Sequence, residues 1–207
     1  MKRTIFFILA ALTISTAVHA APEGCVVNSV LGDATLMREG QEMPIKQGDA
    51  LLKGDKIKTN STCQVDMSMN DLAGCRVLPG SEVGVMGWKT DNMSLKVETG
   101  NVILNLKELP KSSSFRLETP AAIATVRGTQ FWGRVNPAAD ASVTTFAVRK
   151  GSVEIVPVGI AGAASILIES GQAVDLTQGS DVYAVRAALP EEMAAMEQAD
   201  QISNTTT

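Results

Sequence analysis

Between Cys25 and about Val185 the apolar residues recur at nearly every second position, in short runs broken by Gly, Pro, Asn and Asp. Successive side chains of a strand point to opposite faces, so this period predicts β structure throughout. In Gln64-Val65-Asp66-Met67-Ser68-Met69 the odd positions are apolar and the even ones polar, the pattern of a strand with one wet face. Asn70-Asp71-Leu72-Ala73-Gly74 then supplies a turn. Similar strands are predicted at 26–30, 34–38, 56–59, 75–78, 82–87, 93–98, 101–107, 114–118, 122–126, 130–135, 143–149, 152–157, 165–169 and 172–177. No helical period of useful length interrupts them.

An internal repeat emerges when the glycines are aligned. Val97-Glu98-Thr99-Gly100-Asn101-Val102-Ile103-Leu104 parallels Val148-Arg149-Lys150-Gly151-Ser152-Val153-Glu154-Ile155, and Ile168-Glu169-Ser170-Gly171-Gln172-Ala173-Val174 is a looser copy. Each reads as strand, glycine, strand. Glycine tolerates a positive φ that a Cβ would strain, so the repeat marks points where the chain reverses or changes sheet. The expected fold is all-β and glycine-cornered, either a β-sandwich or a β-solenoid-like winding. From Pro190 the pattern changes. Pro at a first helical turn, Glu191 and Glu192 at the positive end of the helix dipole, and Met193-Ala194-Ala195-Met196 predict a short C-terminal helix to about Gln201. Met193 and Met196 share a face, which predicts packing against the β core. Ser203 to Thr207 is polar and has nothing to bury.

The start of the chain has the layout of a secretory leader: Lys2 and Arg3, an apolar stretch from Ile5 to Val18, and the small-residue site Val18-His19-Ala20. Cleavage after Ala20 is expected, since the stretch is shorter than the roughly 20 residues a spanning helix needs. The expected organisation is a signal peptide over 1–20, one all-β domain over 21–189, and a short helix with a polar tail over 190–207. No integral membrane segment is expected after cleavage. Removing Lys2 and Arg3 leaves 16 basic against 22 acidic residues. A surface of that sign, with no basic run, predicts no nucleic-acid partner.

The only histidine, His19, lies in the leader. The mature chain therefore lacks the usual general base and the commonest metal ligand, which excludes Ser-His-Asp and Cys-His catalysis and His-based zinc sites. We expect no enzyme activity, no cofactor and no metal. The three cysteines, Cys25, Cys63 and Cys75, would enter a compartment that permits disulfides. Cys63 and Cys75 share the inward parity of two adjacent predicted strands and form the preferred bridge. The alternative is that all three are small buried hydrophobes.

Three segments in order resemble the FecR domain. They are Gly48-Asp49-Ala50-Leu51-Leu52-Lys53-Gly54-Asp55-Lys56-Ile57-Lys58-Thr59, then Leu78-Pro79-Gly80-Ser81-Glu82-Val83-Gly84-Val85, and above all Phe115-Arg116-Leu117-Glu118-Thr119-Pro120-Ala121-Ala122-Ile123-Ala124-Thr125-Val126-Arg127-Gly128-Thr129-Gln130-Phe131. The last is similar to that family's Thr-Pro, small residues, Val-Arg-Gly-Thr-x-Phe signature, and the resemblance extends from about Gly24 to Val158. It implies a periplasmic β module that binds another envelope protein. Iron-dicitrate regulators of the family resemble transmembrane anti-sigma proteins with a cytoplasmic segment. Only four residues precede the apolar stretch here, so no such segment is expected.

The residues of that signature also read physically. Thr119-Pro120 sets an extended entry, the alanines allow close packing, and Gly128 allows a close backbone approach. Arg127 either braces carbonyls or a carboxylate internally, or lines a ligand or partner groove together with Thr129. Trp88 and Trp132 are the remaining binding candidates. Neighbours in Phe131-Trp132 face opposite ways, so one of them is expected to be exposed, where an indole could stack on a sugar or anchor a protein. Asp33, Asp49, Asp55 and Asp71 read as turn formers. The leading expectation is a non-enzymatic periplasmic binding module, in envelope signalling or assembly, for an envelope protein. The alternative is a carbohydrate or peptidoglycan binding module that uses Trp88 or Trp132.

Overall fold

The computed structural model describes residues 24–139 and 141–200. The expected leader over 1–20 and the polar tail from Ser203 lie outside the described residues. Strands are numbered in chain order, β1 to β17, and form one hydrogen-bonded 17-stranded sheet that folds, through one shared strand, into two layers, the far sheet and the helix-side sheet. The shared strand is β9 (Asn92–Leu106). Its first half lies in the far sheet, antiparallel to β8 (Glu82–Lys89) and parallel to β10 (Phe115–Glu118). Its second half lies in the helix-side sheet between β7 (Ala73–Val77) and β12 (Gln130–Asn136).

From that strand the far sheet continues on one side through β8 to β5 (Lys56–Thr59), β2 (Ala34–Arg38) and β3 (Gln41–Pro44). On the other it continues through β10 to β11 (Ala122–Val126), β14 (Ser152–Pro157) and β15 (Ile166–Glu169). The helix-side sheet runs through β7 to β6 (Gln64–Met69), β1 (Cys25–Leu31) and β4 (Ala50–Leu51). In the other direction it runs through β12 to β13 (Val143–Lys150), β16 (Gln172–Thr177) and β17 (Tyr183–Ala187).

The alternation read from the sequence is what closes the core. β14 buries every second residue, so Val153 and Ile155 enter while Glu154 and Val156 stay wet. Inward residues of the far sheet, such as Leu95, Phe115 and Leu117, join those of the helix-side sheet, such as Phe131 and Phe146, in one apolar cluster. A Cβ on Gly133 of β12 would stand 2.8 Å from Leu117 Cδ2 in the opposite sheet, so the two faces pack directly. The arrangement is a sandwich.

All three repeated glycines are sheet changes. Gly100 bends β9 from the far sheet into the helix-side sheet, Gly151 joins β13 to β14, and Gly171 joins β15 back to β16, with φ of +88°, +86° and +80°. The helix α1 (Pro190–Gln198) forms where expected. Glu192 reaches back to the Leu189 N–H at 2.7 Å and accepts Arg186 Nη2 at 2.7 Å, which caps the first turn. Met196, with Met193 at its margin, packs on Ile103, Trp132, Ala147 and Ala173 on the outer face of the helix-side sheet. No helix among the described residues is long and apolar enough to cross a membrane.

Several expectations need correction. Strands predicted at 93–98 and 101–107 are one strand, because Gly100 bends the ladder without ending it. Edge strands β3 and β17 carry mostly exposed residues, so no buried face imposed the alternation that would have revealed them, and β4, with Leu51 buried, is two residues long and too short to show a period. The even positions of β6 are not wet: Asp66 pairs with Arg76 at 2.8 Å, and Ser68 donates to Asn28 Oδ1 at 3.1 Å. Cys63 and Cys75 are unbridged, although both point inward as their parity requires. Cys75 pairs with Met67, four residues along from Cys63. At about 3.4 Å per residue that is about 13 Å of ladder, against the roughly 7 Å between Cα atoms that a disulfide can span.

Candidate functional site

The segment from Thr119 to Gln130 builds two corners. At the first, Thr119 Oγ1 donates to the Ala122 carbonyl at 2.8 Å and accepts the Ala122 N–H at 3.1 Å, which locks the turn between β10 and β11. Ala121, Ala122 and Ala124 are buried, as small residues must be where strands crowd. At the second corner, Arg127-Gly128-Thr129 carries the chain from β11 in the far sheet to β12 in the helix-side sheet. The incoming segment after β9 is tied to it, because Leu106 N–H donates to the Thr129 carbonyl and Leu109 N–H to the Arg127 carbonyl.

Close approach at this corner depends on the absence of side chains. A Cβ on Gly128 would lie 3.1 Å from Glu108 Cα, and one on Gly151 would lie 2.7 Å from the Gly128 carbonyl oxygen. Three segments, 105–108, 127–130 and 150–152, thereby come together. Their outer surfaces enclose a groove of about 610 Å³.

Arg127 and Thr129 both line this groove, but they do different things. Thr129 is buried, and its hydroxyl is committed to the Ser152 carbonyl at 2.9 Å. It therefore holds the neighbouring corner. Arg127 is exposed and grips no carbonyl or carboxylate among the described residues, so the internal brace expected of it is not what the structure shows. Lys107 and Lys150 join it in the lining, with Glu108 as the one acidic residue there. Sequence reasoning missed both lysines. The available signal was a cation directly before glycine at two corners, Arg127-Gly128 and Lys150-Gly151.

The two tryptophans lie elsewhere, and neither lines the groove. Trp132 is only 8 % exposed, which overturns the expectation that one of Phe131 and Trp132 faces solvent. The two do face opposite ways, but α1 covers the outer side, with Met196 on the indole face of the sheet. Arg134 stacks 6.0 Å from the ring centroid, and Nε1 has no hydrogen-bond partner among the described residues. Trp88, in β8, is half-buried against the main core, and its carbonyl accepts Asn70 Nδ2. Neither indole presents the open platform that stacking on a sugar requires.

Two of the acidic turn residues, Asp49 and Asp55, are structural. Asp49 caps the Lys46 N–H at 2.8 Å. Asp55 is buried and receives Arg38 Nε at 2.9 Å, Arg38 Nη2 at 2.6 Å and the Leu52 N–H at 2.7 Å. Burial works to raise its carboxyl, but the arginine and the amide outweigh it and hold it below the usual range. Burial, aided by the charge of Asp55, pushes the Cys25 thiol up to about 12, and burial, with smaller contributions from Cys25 and Asp66, pushes Cys75 well above its ordinary value. These thiols are core residues without thiolate chemistry.

A protein-family model described as FecR protein matches residues 55–154. Residues 55–154 are a FecR domain. All of the groove lies within it. The FecR match begins at Asp55, later than the Gly24 start expected from the motifs, although β1 to β4 belong to the same two sheets. Two crystal structures of a candidate anti-sigma factor from Parabacteroides distasonis share the fold, with TM-scores of 0.57 and 0.56 and 14 % identity. In each case 69 % of this chain is covered and 64 % of the other, so the chain spans about two thirds of the structure it matches. No curated protein matches the chain.

Proposed function

We propose that this protein is a non-enzymatic interaction module of the bacterial periplasm, acting in envelope signalling by docking a partner protein at the groove of its FecR domain. The observation that carries the reading is the convergence of Lys107, Arg127 and Lys150 on a 610 Å³ groove built by the family's own signature corner. Cationic side chains held at a rigid corner, with no ion pair within 4 Å among the described residues, suit recognition more than stability. The leader-like residues 1–20 support the periplasmic placement, and the loss of His19 with them supports the absence of acid–base catalysis. The candidate anti-sigma factors that share the fold support a signalling role. The glycan-binding alternative has no comparable support, since Trp132 is covered and Trp88 is half-buried.

The test is site-specific photo-cross-linking in living cells. A photoreactive residue at Ser152, in the groove, is expected to yield a discrete protein adduct recovered by osmotic shock on a chain that begins at Ala21. The same residue at Glu42, on the exposed edge strand β3, is the control. Identical patterns from the two positions, or a chain retained in the cytosol, would remove the proposal.

A further inference from the structure

We infer that the groove takes carboxylates carried by a short acidic segment of a partner polypeptide. The inference rests on the docking role proposed above and adds the chemistry of what docks.

The first argument is the state of the arginines. Arg38 and Arg76 each make two-point contacts to a carboxylate, Arg38 to Asp55 at 2.9 and 2.6 Å and Arg76 to Asp66 at 2.8 and 2.8 Å. Arg149 reaches Asp200 at 2.6 Å and Arg186 reaches Asp175 at 2.8 Å. The guanidinium fork matches a carboxylate edge, and this chain satisfies it that way repeatedly. Arg127 carries the same fork at the groove with no carboxylate among the described residues to fill it. Lys107 and Lys150, also in the lining, form no ion pair among the described residues either.

The second argument is the sign of the field. The chain is acidic overall, at a formal −4, yet three cations and one carboxylate line the groove. Screening confines each charge to about 8 Å at physiological salt, so a small ligand feels the groove and not the acidic remainder. A long polyanion would lie across both and gain little. The volume, about 610 Å³, suits a few residues of extended chain. Glu108 completes the case for a peptide: it offers an acceptor to a backbone N–H, which a polypeptide has and a bare inorganic anion lacks.

The probe is a blocked hexapeptide of aspartate and glutamate, titrated into the nitrogen-15-labelled mature chain. Saturable shifts are expected at the amides of Gly128, Thr129 and Gly151, weakening as sodium chloride is raised. The asparagine and glutamine counterpart should bind at least about ten-fold more weakly, and Arg127→Gln or Lys150→Gln should each weaken the acidic peptide about five-fold. Both side chains are exposed, so these variants are expected to keep the wild-type circular dichroism and unfolding midpoint. Equal binding of the neutral peptide, or no effect of Arg127→Gln, overturns the inference. Equal or tighter binding of inorganic phosphate also overturns it, since the groove would then be a bare-anion site. If the in-cell adduct from Ser152 persists in an Arg127→Gln, Lys150→Gln double variant, the carboxylate chemistry is wrong while the docking role stands.

Discussion

Three glycines that look alike in sequence occupy different surroundings, and alanine substitution separates the backbone cost from the packing cost. Gly100, Gly151 and Gly171 have φ of +88°, +86° and +80°, so a Cβ at any of them incurs a similar left-handed strain, about 1–2 kcal/mol. At Gly171 nothing else lies within 4 Å of the added atom, and the strain is the whole effect. At Gly151 the atom meets the Gly128 carbonyl at 2.7 Å and Thr129 Oγ1 at 3.0 Å. At Gly100 it meets Ser81 Cα at 2.5 Å, and Ser81 cannot retreat. Its N–H donates to Thr59 Oγ1 at 2.9 Å, and its hydroxyl accepts the Asn101 N–H at 2.8 Å. Overpacking against fixed backbone adds about 1–3 kcal/mol. The expected order of destabilisation is therefore Gly171→Ala at about 1–2 kcal/mol, with Gly151→Ala and Gly100→Ala at about 2–5 kcal/mol. Urea unfolding followed by tryptophan fluorescence reads these as midpoint shifts of about 0.5–1 M and about 1–2.5 M, for a slope of about 2 kcal/mol/M. Equal shifts for all three variants would mean that the corners at Gly100 and Gly151 are not pressed against their neighbours, and the groove built on that contact would lose its floor.

Two further outcomes test the interior. Asp55 binds its proton less tightly in the folded chain than in the unfolded one. Its contribution is thus complete above the unfolded value, near 4, and is lost as the pH falls through the lower folded value. Asp55→Asn should cost about 2–3 kcal/mol at pH 7 and progressively less below about pH 4; a penalty that stays constant down to pH 3 would contradict the ion pair. For the cysteines, the mature chain purified from an oxidising compartment should show no thiol reactive toward a disulfide dye while folded, and three per chain in urea. A single thiol in urea would restore a bridge.

What could be read from the sequence was what local sterics and a two-residue period control. Val153-Glu154-Ile155-Val156 announces a half-buried strand because each side chain's face follows from its neighbour's. Gly100, Gly151 and Gly171 announce corners because a positive φ is a property of one residue. The misreadings share a different origin. One of Phe131 and Trp132 is expected to meet solvent from their alternation, but the docking of α1 is a contact between distant parts of the chain, and no periodicity around Trp132 carries it. Cys63 and Cys75 have the right parity for a bridge and the wrong register, and register is set by which residues of β6 and β7 face each other.

The groove belongs to this second class. Lys107 follows a strand of the helix-side sheet, Arg127 precedes one, and Lys150 ends another, so nothing in the chain order brings them together. They meet because two glycines let three backbones touch, and a cation sits beside each contact. A signature that reads as a fold element is therefore also what assembles the charge. Thr129 spends its hydroxyl on Ser152, Gly128 its missing side chain on Glu108, and the guanidinium of Arg127 has no carboxylate or carbonyl partner among the described residues.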